Sequence, residues 1–199
     1  MLEDVLAIVR EVDLHAHVIF LYRNLDEKHQ ILFTHLESGL ERGERALYIA
    51  SEETPQQIRE ATTEFDLDVE LLEANFSLAI RSYHEFYLFD GKPDTHRTLR
   101  LLDETVREAT AKGFKGLRVV GEMTCWLDYG YVDELVEYEK AVDRGFRAPI
   151  TGICAYDAEK LESRISPKQV LDLISAHAHS IMLRSGASVT RIHRTAITG

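Results

Sequence analysis

Six short apolar runs punctuate the chain, at residues 18–22, 46–50, 76–80, 117–120, 150–155 and 180–183. Each is hydrophobic at consecutive positions instead of alternating, which is the pattern of a strand covered on both faces. Between them apolar residues recur at helical spacing: Leu32, Leu36 and Leu40; Ile58, Ala61 and Phe65; Leu99, Leu102, Val106 and Ala109; Val132, Leu135, Val136 and Val142; Val170, Ile174 and His177. This alternation predicts an α/β fold in three layers, a mostly parallel sheet with helices on both faces. Two helix starts are marked chemically, because Thr54 and Ser166 each precede a proline and stand three residues before a glutamine, Gln57 and Gln169. Leu2, Val5, Leu6 and Val9 predict an added helix within residues 1–13, and residues 189–193 read as an edge strand after a turn at Ser185 and Gly186, in a tail of residues 185–199. The body of the domain is then residues 14–184.

Composition narrows the function. With 199 residues, 45% hydrophobic and 29% charged, the chain has the make-up of one globular domain. Acidic residues outnumber basic ones by 34 to 23, and the net charge of −11 opposes attraction to phosphate backbones or anionic lipid. No direct nucleic-acid ligand and no membrane contact are expected. No apolar run reaches the roughly 18 residues of a membrane span, and Met1 leads into a charged amphipathic stretch, so a cytoplasmic location is expected. Two cysteines outside any CxxC pair, Cys125 and Cys154, read as free core thiols.

In open parallel sheets ligands bind beyond the carboxyl ends of the strands, and the residues there are polar: Arg23 to Asp26, Ser51 to Thr54, Arg81 to His84, Gly121 to Met123, and Tyr156 with Asp157. The order strand, helix, strand ending in Glu-Glu, helix resembles the RecA-like ATPases. Yet the phosphate loop GxxxxGK[ST] is missing, its place being taken by RNLDEKHQ with no glycine, and Lys28 alone does not replace a nest of amides. Glu52 and Glu53 read as caps of the helix that follows. Glu122 directly follows an apolar run, so its carboxylate is expected to be partly buried, with Arg118 on the same strand as its partner. One alternative is an enzyme in which Glu122 serves as acid or base and Arg118 holds a carboxylate or phosphate. A second is a protein-interaction module without a small ligand. No Ser-His-Asp order, GxSxG elbow or dinucleotide fingerprint supports catalysis, so the chain is expected not to be an enzyme.

His15, His17, His177, His179 and Cys154 together offer nitrogen and sulfur donors. Their spacing disfavours convergence: His15 falls in the loop before the first strand, and on a helix His177 and His179 would diverge by roughly 200°. No metal and no cofactor is therefore expected, and His17 and His177 read as hydrogen-bonded core residues. Tyr22, Tyr83, Phe86, Tyr87, Phe89, Trp126, Tyr129 and Tyr131 fall at strand ends or in the loops after them, as the aromatic wall of a small-ligand pocket would.

Five blocks in order carry a resemblance: HxxFLY at 17–22, GLERGERALYIASEET at 39–54, GFKGLRVVGEMTCW at 113–126, ELVEYEKAV at 134–142 and ICAYD at 153–157. Together they resemble the MEDS family, the DcmR-type sensory domains of methanogens and methylotrophs, over about residues 14–184. The resemblance implies a RecA-like scaffold without the phosphate loop and a role in sensing small hydrocarbon derivatives. It also implies association with histidine kinase, anti-sigma-type kinase or DNA-binding domains, for which this chain has no room. Output then passes to a separate protein, through the N-terminal helix or an added strand, and a homodimer is consistent with such a sensor. The ligand pocket is expected at the strand ends, lined by His17, Tyr22, Glu52, Arg118, Glu122 and Tyr156. Trp126 is a further candidate, although Cys125 shifts it by one position from the family pattern and would turn it to the other face of a strand.

Overall fold

The protein is described here by a computed structural model covering residues 2–65, 67–145 and 148–182. The tail of residues 185–199, with its expected edge strand, lies outside the described residues. In chain order the elements are α1 (Leu2–Arg10), β1 (His17–Tyr22), α2 (Leu25–Glu41), β2 (Arg45–Ala50), α3 (Pro55–Thr62) continued by a 3-10 turn (Thr63–Phe65), α4 (Val69–Ala74), β3 (Leu78–Ser82), α5 (Tyr83–Phe86), the hairpin β4 (Leu88–Phe89) and β5 (Lys92–Pro93), α6 (Thr95–Ala111), β6 (Leu117–Glu122), α7 (Thr124–Asp128), α8 (Val132–Gly145), β7 (Ile150–Asp157), α9 (Ala158–Arg164), α10 (Pro167–Ser175) and β8 (His179–Met182).

The six apolar runs form one sheet in the order β3-β2-β6-β7-β1-β8, and every pairing is parallel. Parallel strands need crossovers, and the intervening helices supply two covering layers. On one face Ile19, Leu47, Val119 and Cys154 pack with Leu102, Val106, Leu135 and Val142 of α6 and α8. On the other, Val18, Phe20, Tyr48 and Val120 pack with Val5 and Val9 of α1, Ile31 and Leu36 of α2, and Ile58 of α3. The apolar stripe of α1 is thus consumed in the core.

Both marked helix starts form complete capping boxes, Thr54 with Gln57 and Ser166 with Gln169. Two boundaries differ from expectation. The third strand starts at Leu78 and not at Phe76, because Phe76 takes a left-handed backbone (φ 70°) in the turn after α4 and places its ring against the Arg45 guanidinium, 3.5 Å from ring centre. His177 lies beyond α10, whose C-cap is Ala176, and His179 opens β8, so the two histidines never share a helix.

Candidate functional site

At the carboxyl ends of the central strands, where RecA-like ATPases hold phosphate, this chain has placed its own side chains. β1 ends at Tyr22 and passes through Arg23 and Asn24 straight into α2, whose first turn is capped by the Asn24 side chain accepting from the Glu27 amide (2.9 Å). One turn in, Lys28 is fully buried, and its Nζ lies 2.8 Å from Glu122, 2.6 Å from Glu53 and 3.2 Å from Glu52. Glu122, at the end of β6 and equally buried, also accepts from the Tyr48 hydroxyl (2.6 Å) and from the amides of Ser51 (2.6 Å) and Glu52 (2.7 Å). The Tyr22 hydroxyl donates to Glu52 at 2.7 Å, and His29 meets Glu53 at 2.8 Å. The amide of Cys125, in α7, donates to the Ser51 hydroxyl at 2.8 Å, so the network ties the ends of β1, β2 and β6 to the starts of α2 and α7.

The charges hold one another in place. Burial alone would lower the Lys28 pKa, but Glu122 and Glu53 outweigh it and raise the ammonium above its ordinary range. Burial would raise Glu53, yet hydrogen bonds from His29 and Lys28 bring it down to about 2. Tyr22 and Tyr48 are pushed up, first by burial and then by the carboxylates, so both remain phenol donors. With its oxygens committed to four donors, Glu122 acts as an internal counter-ion. Among the ionisable groups of the network only Glu52, Glu53 and His29 reach solvent, with 13–20% of each side chain exposed.

The expected pocket residues divide among four places. Tyr22, Glu52 and Glu122 meet in this network. Arg118 does not pair with Glu122: it stands at the opposite end of β6, four residues or roughly 13 Å away along the strand. There it is fully buried and grips Glu44 with two bonds (2.7 and 3.0 Å) while donating to the carbonyl of Val12 (3.1 Å). The enzyme reading that joins Glu122 to Arg118 loses its geometry. Trp126 sits on α7, a helix, so the argument from strand faces does not apply to it. It is fully buried, stacked on Tyr138 (5.3 Å between ring centres) and beside Tyr87 (5.9 Å).

His17 and Tyr156 belong to a second buried cluster, with Glu139, Cys154 and His177. The Oε2 of Glu139 lies 3.2 Å from His17 Nε2, 3.4 Å from His177 Nε2 and 3.5 Å from Cys154 Sγ, and His17 Nε2 lies 3.4 Å from the same sulfur. Tyr156 donates to the other carboxylate oxygen. Burial opposes charge on Glu139, but His177 and His17 hold it well below the usual carboxylate range. Burial and then His177 lower His17, and burial followed by Glu139 raises Cys154 and Tyr156. These donors could hold a metal ion.

Sequence reasoning missed Glu139, Tyr48 and the role of Lys28. Signals for two of them were present: Glu139 lies in the apolar stripe of α8 between Leu135 and Val142, and Lys28 continues the stripe Leu32, Leu36, Leu40 of α2. A charge on an apolar stripe must be buried and hence paired.

The sheet order, the two helical layers and the closed strand-end site define an α/β domain on a RecA-like scaffold. A KaiC-like protein from the hyperthermophilic archaeon Pyrococcus horikoshii superposes with a TM-score of 0.60 at 16% identity, covering 88% of this chain and 76% of that one. An uncharacterized protein from Pyrococcus horikoshii, solved in complex with an unknown peptide, gives a TM-score of 0.64 at 12% identity over 92% of this chain and 82% of that one. No curated protein matches in sequence. The chain belongs to the MEDS family, the MEthanogen/methylotroph, DcmR Sensory domain, which it matches over residues 16–178.

Proposed function

We propose that this chain is a non-catalytic sensory domain that binds a small organic molecule, of the hydrocarbon-derivative class, and passes its occupancy to a separate signalling protein such as a histidine kinase or transcription regulator. Membership of a sensory family over residues 16–178 supports a role in signalling. The observation that carries the non-catalytic reading is the position of Lys28: the one lysine in the first turn of α2 is spent on Glu122, Glu52 and Glu53 and is turned away from solvent. A triphosphate would have to displace three carboxylates and compete with Asn24 for the Glu27 amide.

A ligand signals only through different affinities for two arrangements of the protein. The slightly exposed rim of Glu52, Glu53 and His29 is the part of the network that a polar ligand group can reach, and Tyr22 and Thr124 lie directly beneath it. A shift of Glu52 would be felt at β1 through Tyr22 and at α2 through Lys28. Partners read the result at the surface; β3 and β8 are the two edges of the described sheet. No helix among the described residues is long and apolar enough to cross a membrane.

Thermal-shift screening tests this, with short halogenated, methylated and hydroxylated hydrocarbons set against Mg·ATP. A true ligand at a hundred times its dissociation constant stabilises by about 2.7 kcal/mol. A saturable shift with one organic class and none with nucleotide is expected. Silence across every organic class would favour an interaction module instead.

A further inference from the structure

The second buried cluster has the geometry of a coordination sphere. We propose that His17, Glu139, Cys154 and His177 form a binding site for a single divalent first-row transition ion of zinc-like softness.

The donors come from four separate parts of the fold: the start of β1, the middle of α8, β7, and the three residues joining α10 to β8. Their ligating atoms nonetheless all lie within 4.8 Å of one another. Four of the separations among these atoms are 3.2, 3.4, 3.4 and 3.5 Å, short enough for one ion to bridge them. They are close to the edges of a tetrahedron whose centre is 2.0–2.3 Å from nitrogen, oxygen and sulfur, which are about 3.3–3.8 Å, and the two remaining edges are no longer than 4.8 Å.

The surroundings orient each donor. His17 Nδ1 lies 3.0 Å from the carbonyl of Ala176, and His177 Nδ1 lies 2.7 Å from the carbonyl of Leu173. A carbonyl only accepts, so each Nδ1 carries a proton, and with an ion bound each Nε2 would turn its lone pair to the centre, the arrangement found behind metal-bound imidazoles. His177 Nε2 is buried without a hydrogen bond. Tyr156 occupies Oε1 of Glu139, which leaves Oε2 as the inward atom facing all three other donors. Two neutral imidazoles, one carboxylate and one thiolate sum to two negative charges, which a dication neutralises. The mix of nitrogen, sulfur and oxygen suits zinc, cobalt or iron and not the oxygen-seeking Mg²⁺ or Ca²⁺.

The site is independent of the strand-end network and of the sensory reading. Its test is the Co²⁺ spectrum of the full chain, unfolded with chelator and refolded with Co²⁺. The expected result is the intense visible absorption of tetrahedral Co²⁺ together with a near-ultraviolet thiolate-to-cobalt band, both bleached by one equivalent of Zn²⁺. Cys154→Ser should lose the thiolate band while Cys125→Ser, which alters the other buried thiol, keeps it. Glu139→Gln should weaken Co²⁺ binding at least tenfold. The weak absorption of octahedral Co²⁺ in the wild-type chain, which requires no variant to fold, would overturn the proposal, and so would a thiolate band that survives in Cys154→Ser.

Discussion

Replacing Lys28 by Met keeps most of the side chain's length and removes its charge, which leaves Glu122, Glu52 and Glu53 facing one another. Glu52 and Glu53 reach solvent and can rehydrate, whereas Glu122 has no exposed surface. Stripping one partner from a buried ion pair typically costs about 3–5 kcal/mol. Glu122 retains the Tyr48 hydroxyl and two amides, which places the expected loss near the lower bound, about 3 kcal/mol. That is a large share of the ~5–15 kcal/mol available to a domain. In urea, with a slope of about 2 kcal/mol/M, the midpoint should fall by about 1.5 M. Adding Glu122→Gln removes the orphaned charge but keeps an acceptor for Tyr48, so the double variant should be more stable than Lys28→Met alone. If Lys28→Met loses less than about 1 kcal/mol, or if the two substitutions simply add, the lysine is not the counter-ion that closes this site.

Acid should loosen the same region. The Glu53 pKa is depressed to about 2, so its contribution is complete above the ordinary carboxylate value and disappears as pH falls toward 2; urea midpoints measured down that range should drop more steeply in the parent than in Glu53→Gln. Packing against Arg118 makes Gly39 irreplaceable, because an added Cβ would lie 2.7 Å from Arg118 Cγ, and Gly39→Ala should lower stability by about 1–3 kcal/mol. Gly152, whose added Cβ would meet nothing within 4 Å, should accept Ala with a gain of up to about 1 kcal/mol, and the two melting temperatures compared side by side check both statements. Arg118→Met should cost about 3–5 kcal/mol by stranding the buried Glu44, and Glu44→Gln should recover part of it in the double variant.

The sheet was legible because burial on both faces writes itself as unbroken apolar runs, and each of the six predicted runs overlaps a strand. Helix starts at Thr54 and Ser166 were legible because capping is local chemistry between residues three apart. What failed depended on geometry across the sheet. Arg118 and Glu122 belong to one strand, so nearness in sequence suggested a pair, but strands extend and the real partners, Glu44 and Lys28, come from other elements. Likewise His17, Cys154 and His177 gave no converging pattern, since parallel pairing of β1 with β7 and β8 is what brings them together. Glu139 escaped notice because α8 is rich in acidic residues, and only its place on the apolar stripe distinguishes it from Glu137 beside it.

A RecA-like scaffold that has exchanged phosphate for its own carboxylates should be blind to nucleotide. Calorimetric titration of Mg·ATP into the full chain, with phosphate release followed in parallel, addresses this at the site itself. No saturable heat and no phosphate above background are predicted. Saturable binding with hydrolysis that is abolished in Lys28→Met would mean that Lys28 leaves its carboxylates for a phosphate, and the strand-end site would have to be read as a working nucleotide site.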